Sequence, residues 1–256
     1  MFPTPAGRHD GARGIRLGAG PGETVKIHIA GLAVSLHDVD GVLADLDATY
    51  REFAARGDAY ASGPANPHLC FSGCSHCCRD GAFFAVTLAE AVRLALAVSE
   101  LDDGQQARIL ADADRAHALQ RDVFGHDSEQ PDVPGQRDEE VLGTRLNRVA
   151  TAGVSCPLLE GDLCGVYPAR PLVCRAYGYP VDAFAVEENG TRVFSSLCKL
   201  YEGLVLHDYV RARELRDRLQ GLSQRLTGGA EHGRFTSAEA ILAGIEYDGS
   251  AGGEGL

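Results

Sequence analysis

Apolar and polar residues alternate at the start of the stretch from Thr24 to Leu36 (TVKIHIAGLAVSL), a pattern that predicts a short strand. From Asp40 the period lengthens. Leu43, Leu46, Tyr50 and Phe53 recur at steps of three, four and three, which places them on one face of a helix running to about Arg56. Gly57 is a natural stop for it. Thr87 and Glu90 have capping-box spacing, so a helix is expected to begin after Thr87. Another is expected from about Gln105 to Val123, with Ile109, Ala113 and Ala116 on one side.

The polar, proline-containing stretch 125–138 (GHDSEQPDVPGQRD) breaks this pattern and predicts a connector, with a short helix after it to Val149. Asn189-Gly190 predicts a hairpin turn within Val181 to Phe194. A long helix is expected from Leu197 to Leu226, packed through Leu215, Leu219, Leu222 and Leu226. Thr236 and Glu239 cap a last short helix. The expected architecture is mostly α: helices around an irregular cysteine-rich metal-binding core, with a small β element. Its expected divisions are a disordered extension over 1–22, a strand and helix packing on the core over 23–60, the cysteine domain over 61–226, and a short helix and disordered tail over 227–256.

Charge narrows the partners. The 36 acidic against 24 basic residues leave a formal net charge of −12. Such a chain is repelled by phosphate backbones and anionic lipid, so neither nucleic acid nor membrane is expected as a partner. Residues 1–22 carry no apolar signal segment, and no apolar run approaches the roughly 18 residues of a membrane span. The expected location is the reducing cytoplasm, where clustered cysteines argue for metal or redox chemistry rather than disulfides.

Eight cysteines carry the chemistry. Four fall within nine residues, as Cys70-x3-Cys74-x2-Cys77-Cys78. Two residues between cysteines let both sulfurs of one turn reach a single metal. The side chains of adjacent Cys77 and Cys78 diverge, so one is expected to face a second metal or another edge of the same cluster. The second group, Cys156-x7-Cys164-x9-Cys174 followed by Cys198, is broken by Gly161, Gly165, Pro168 and Pro171 and predicts tight turns. Neither group completes two four-ligand sites alone, so the two are expected to meet. Buried free thiols would account for one or two of the eight, such as Cys198, but not for the packed first group.

The two blocks, Cys70-Phe-Ser-Gly-Cys74-Ser-His-Cys77-Cys78 and Cys156-Pro-Leu-Leu-Glu-Gly-Asp-Leu-Cys164-Gly-Val-Tyr167-Pro-Ala-Arg170-Pro171-Leu-Val-Cys174-Arg175, resemble the YkgJ or CxxCxxCC family of zinc- or iron-chelating domains. The resemblance covers roughly Ala61 to Cys198 and implies metal binding. One similar branch, the flagellin lysine N-methylases, is associated with an iron–sulfur cluster. An iron–sulfur cluster, of the [4Fe–4S] type, is therefore the expected cofactor, with zinc as the alternative. All eight cysteines are candidate ligands. Four thiolates around either group leave a charge of −2, and Arg79, Arg170 and Arg175 stand beside candidate ligands and could balance it. The competing reading is that Arg170 and Arg175 pair with acids or cap a helix. Tyr167 belongs to the matched block and joins them as a candidate contact to the cofactor. His76 and His68 are weaker ligand candidates.

Other patterns fall short. Cys70-x3-Cys74-x2-Cys77 has radical-SAM spacing, but a fourth cysteine follows at once and the repeated strand–helix units of a barrel are missing. His37-Asp38-Val39-Asp40-Gly41 resembles the first motif of haloacid-dehalogenase-type phosphatases, yet Lys199 is the only downstream lysine and sits beside Cys198. Asp40 and Gly41 instead suit a helix N-terminal region. There is no GxxxxGK[ST], HExxH or GxSxG. Two function classes remain. One is a metalloenzyme or electron carrier acting on a small molecule or a protein side chain. The other is a structural metal site on a binding or metal-handling module.

Overall fold

Left-handed backbone at two adjacent residues decides the first element. Ala30 (φ 50°) and Gly31 (φ 81°) reverse the chain, so the stretch expected to be one strand is a hairpin. The computed structural model describes residues 24–64, 66, 73–79, 84–125, 133–134, 136–137, 142, 145–146, 154–182, 186–188, 191–193, 198–201 and 208–248. The hairpin strands are β1 (Thr24–Ile29) and β2 (Leu32–Leu36). Val25, Ile27 and Ile29 of β1 face inward, with Lys26 and His28 on the other face.

The chain continues through helix α1 (Val39–Ala61), the single-turn α2 (His76–Arg79), β3 (Ala85–Val86), α3 (Leu88–Ser99) and α4 (Asp103–Gly125). The small hairpin of β4 (Leu159–Glu160) and β5 (Leu163–Cys164) follows, then a 3-10 turn (Tyr167–Ala169) and the short α5 (Leu172–Ala176). Strands β6 (Val186–Glu188) and β7 (Thr191–Val193) pair antiparallel on either side of residues 189–190, as the Asn-Gly dipeptide predicts. After a second 3-10 turn (Lys199–Tyr201) come α6 (Arg213–Leu226), β8 (Phe235–Thr236), α7 (Ser237–Ile241) and β9 (Gly244–Asp248). The mostly α expectation holds, with small antiparallel sheets added to it.

Helix α3 is the hub. Every residue from Leu88 to Val98 is buried, including Glu90 and Arg93, so it reads as a core helix rather than an amphipathic one. α1, α4, α6 and α7 all pack against it. The capping box is present: Thr87 accepts from the Glu90 N–H, and the Glu90 carboxylate accepts from the Thr87 N–H. The same reciprocal pair caps α7 through Thr236 and Glu239. The expected stripes on α1 and α6 and the Ile109–Ala113–Ala116 face of α4 are all buried.

Several boundaries move for tertiary reasons. Gly57 does not stop α1, which runs on to Ala61. A methyl group at position 57 would lie 2.8 Å from the Tyr179 ring, so this glycine is a packing site inside the helix. The N-cap of α1 is Asp38, at φ 48°, rather than the Asp40-Gly41 pair. The helix expected from Leu197 to Leu226 is interrupted. Lys199–Tyr201 is a 3-10 turn, Val210 bridges Val181 in parallel, and α6 begins only at Arg213. Asp182 sets that start, its carboxylate accepting from the N–H groups of Ala212 (2.6 Å) and Arg213 (3.0 Å). β9 is a further strand. It pairs with the far side of β1, giving the order β2-β1-β9. Of the helix expected to end at Val149, Leu142, Arg145 and Leu146 are described; they are helical and buried. The segments 1–22 and 249–256 lie outside the described residues. Among the described residues no helix is long and apolar enough to cross a membrane.

Candidate metal centre

The two cysteine blocks are joined by backbone before any thiol is considered. The Cys156 N–H donates to the Cys78 carbonyl at 2.7 Å. Beside it, a polar lock fastens α2 to the β4–β5 turn. Ser75 donates to the Asp162 carboxylate (2.7 Å), and Arg79 donates to Asp162 (2.6 Å), to Ser75 Oγ (2.9 Å) and to the Gly161 carbonyl (2.9 Å). The Arg79–Asp162 pair is more than half exposed, so it fixes register more than it stabilises. Arg79 is thus engaged with the turn that carries the second block.

α5 is held just as firmly. The buried Glu90 carboxylate accepts from the Leu172 N–H at 2.7 Å while also serving the α3 capping box. Arg175 donates to the carbonyls of Arg170 (2.8 Å) and Pro168 (2.6 Å), and its guanidinium lies 4.3 Å from the centre of the Tyr50 ring. Arg170 donates to the Cys174 carbonyl at 2.5 Å and lies over the Tyr167 ring at 4.9 Å. One expected role is thereby shared unequally: Arg175 shapes the turn through carbonyls and an aromatic face and reaches Cys164 and Cys174 by its charge, whereas Arg170 acts on Cys77, Cys78, Cys164 and Cys174. Glu90, Ser75 and Asp162 were not singled out from sequence. Only the capping-box spacing pointed toward Glu90.

The thiols themselves converge in part. Cys77 Sγ and Cys78 Sγ are 3.8 Å apart. The Cys77 thiol is pushed up by its hydrogen bond with Cys78, and then by burial and the Cys78 charge. The Cys78 thiol is pushed up to about 12, first by contact with the Cys156 thiol. Burial raises Cys164 and Cys174, and charge on Cys77 adds to both. Burial opposes the charge on Arg170, but Cys174, Tyr167, Cys164 and Cys77 outweigh it and hold the guanidinium above its usual value. Cys77, Cys78, Cys164 and Cys174 are therefore close enough to resist one another's ionisation, and the Cys156 thiol is in contact with Cys78. A bound cation would relieve that resistance, which is the sense in which this donor set fits a thiophilic metal.

The convergence stops short of a finished coordination shell. Among the described residues, no group of three or more His, Cys, Asp or Glu side chains is arranged to hold an ion. Cys70 and His68 lie outside the described residues. Cys74 is half-buried and His76 exposed. Cys198 is buried and opens the 3-10 turn whose Tyr201 hydroxyl donates to the Gly178 carbonyl at 2.6 Å, just past α5. No disulfide links the described cysteines.

Residues 69–199 match the family model CxxCxxCC, described as "Putative zinc- or iron-chelating domain". Neither the curated proteins nor the solved structures give a significant match to this chain.

Proposed function

Since the chain belongs to the CxxCxxCC family of zinc- or iron-chelating domains, we propose that Cys77, Cys78, Cys156, Cys164 and Cys174, with Cys70 and Cys74, hold an iron–sulfur centre used for electron or group transfer. The observation that carries the reading is the 3.8 Å separation of the Cys77 and Cys78 sulfurs. Two thiolates on one tetrahedral ion, each about 2.3 Å from it, stand about 3.8 Å apart. The adjacent pair thus suits two bonds to one ion. In a [4Fe–4S] cluster four thiolates serve four irons, whereas in a [2Fe–2S] cluster they serve two, two to each. The surplus of cysteines favours a polynuclear group over one ion, and the cluster proposed is of the [4Fe–4S] type.

When bound, such a cluster supplies one-electron chemistry. The chain's own residues hold and insulate it. Arg170 offsets thiolate charge from its perch on Tyr167, Ser75 and Asp162 keep the two blocks in register, and Glu90 ties α5 to the start of α3. Zinc is the second reading, favoured by the same sulfur separation, which is equally a zinc tetrahedron edge. In that case the site is a structural or metal-handling one.

Anaerobic purification separates the two. The proposal expects brown protein with iron and acid-labile sulfide in equal amounts, bleached reversibly by dithionite. Colourless protein with stoichiometric zinc after growth with both metals reverses it.

A further inference from the structure

Helix α4 carries no cysteine, yet it grips the second cysteine block. The contact is made by Arg108, near the start of the helix. Its Nη1 donates to the carbonyls of Pro157 and Leu159, each at 3.3 Å. These carbonyls lie one and three residues beyond Cys156. The same nitrogen meets the Asp112 carboxylate at 3.4 Å, one turn along α4, which steadies the side chain on the helix surface. Nη2 is buried and makes no hydrogen bond among the described residues, with the Glu160 carboxylate 4.0 Å away. Next to Arg108, buried Ile109 packs on Gly165: a methyl group there would lie 3.9 Å from Ile109 Cδ1. α4 therefore touches the chain immediately after Cys156 and immediately after Cys164.

The turn at Cys156 has few other anchors. The Cys156 N–H reaches the Cys78 carbonyl (2.7 Å), and the Cys156 carbonyl accepts from the Leu159 N–H (3.0 Å). Proline has no N–H, so the backbone of Pro157 can be fixed only through its carbonyl, and Arg108 takes it. The cations that act on the raised thiols are Arg170 and Arg175. Arg108 works through backbone instead.

We propose that Arg108 is a positioning residue of the metal centre: by holding the Pro157 and Leu159 carbonyls it fixes the turn that aims the Cys156 thiol at Cys78. Partners of this kind, one step removed from the ligands, are commonly worth about 10- to 100-fold in metal affinity. The inference rests on the metal-binding reading of the two blocks and holds for iron–sulfur and zinc alike.

The test uses cobalt(II) and zinc, which both take thiolates. The full, chelator-treated chain is titrated with cobalt(II), then with zinc against a chromophoric chelator. Arg108→Met keeps the apolar stem and removes the guanidinium. It is expected to bind zinc at least tenfold more weakly and to show a weaker thiolate-to-cobalt absorption band, because Cys156 is no longer aimed at the ion. Its melting temperature should fall further below the native value with zinc bound than without. Arg108→Lys keeps the charge, but its ammonium ends one bond short of the place of Nη1, so it should recover only part of the affinity. Gln105→Ala removes a contact with Glu160 on the same turn without touching either carbonyl, and should bind zinc as the native chain does. An unchanged cobalt spectrum and zinc affinity in Arg108→Met, with both melts lowered alike, would make Arg108 a merely structural residue and overturn the proposal. Full recovery by Arg108→Lys would overturn it too, in favour of charge. A native chain that takes up neither ion sinks the metal-centre reading and this one together, whereas native uptake with unaffected Arg108 variants sinks this one alone.

Discussion

The backbone N–H of Cys156 donates to the carbonyl of Cys78 at 2.7 Å, so cysteine blocks separated by almost eighty residues share a main-chain hydrogen bond. Thiols brought together this way need no metal to be neighbours, but they gain most from one. A metal bound across both blocks adds its binding free energy to folding, which in zinc peptides is on the order of 10 kcal/mol or more.

Cys78→Ala is accordingly expected to lose most of the bound metal and to melt well below the native chain, close to the chelator-treated protein. Cys74→Ala should behave alike if the first block ligates as a unit. Metal analysis and thermal melts of the same preparations check both. Full metal content with an unchanged melting temperature would remove the substituted residue from the ligand set.

Glu90→Ala tests the frame instead of the ligands. The change removes acceptors for the Leu172 and Thr87 N–H groups and leaves both in a buried setting. A loss of about 2–4 kcal/mol is expected, combining a broken helix cap with an orphaned buried donor. Urea unfolding measures it, and a loss below 1 kcal/mol would show that water reaches α5.

Gly57→Ala sets two effects against each other. Alanine is better than glycine in a helix by about 1 kcal/mol. Its methyl group, however, would press on the Tyr179 ring, which Phe53 and Tyr60 already hold edge-on at centroid distances of 5.9 and 6.2 Å. Overpacking of about 1–3 kcal/mol is expected to win, lowering the melting temperature. A more stable variant would mean that the ring can move aside.

The pH dependence of the metal-free fold follows from its thiols. Cys77, Cys78, Cys164 and Cys174 are all held above the ordinary cysteine value of about 8.5. A pKa raised by folding contributes stability that is complete below the unfolded value and is lost as pH rises through the folded one. Chelator-treated protein should therefore weaken from about pH 8.5 upward, towards the value of about 12 for Cys78. Metal affinity should move the other way, rising with pH because binding releases thiol protons. Melts across this range, paired with thiolate absorbance, check the first expectation. A metal-free melting temperature that stays flat to pH 10.5 would contradict it.

The sequence by itself determined the elements whose signals are local. The stripes of α1 and α6 needed only the helical period, and the caps of α3 and α7 needed only Thr and Glu three residues apart. Cysteine spacing was enough to mark the metal-binding segment. The tertiary structure decided whatever depends on a distant partner. Gly57 reads as a helix stop until Tyr179 is packed against it, and α6 starts late because Asp182 caps it from another part of the chain. β9 carries no strong pattern of its own and exists as a strand because β1 offers it an open edge. The same holds at the site: Arg79, Arg170 and Arg175 look alike beside their cysteines, and only packing sends one to Asp162, one among the thiols and one to Tyr50. A side chain's chemical type is written in the sequence, but the charge or ring it meets is set by contacts that form only when the chain has closed on itself.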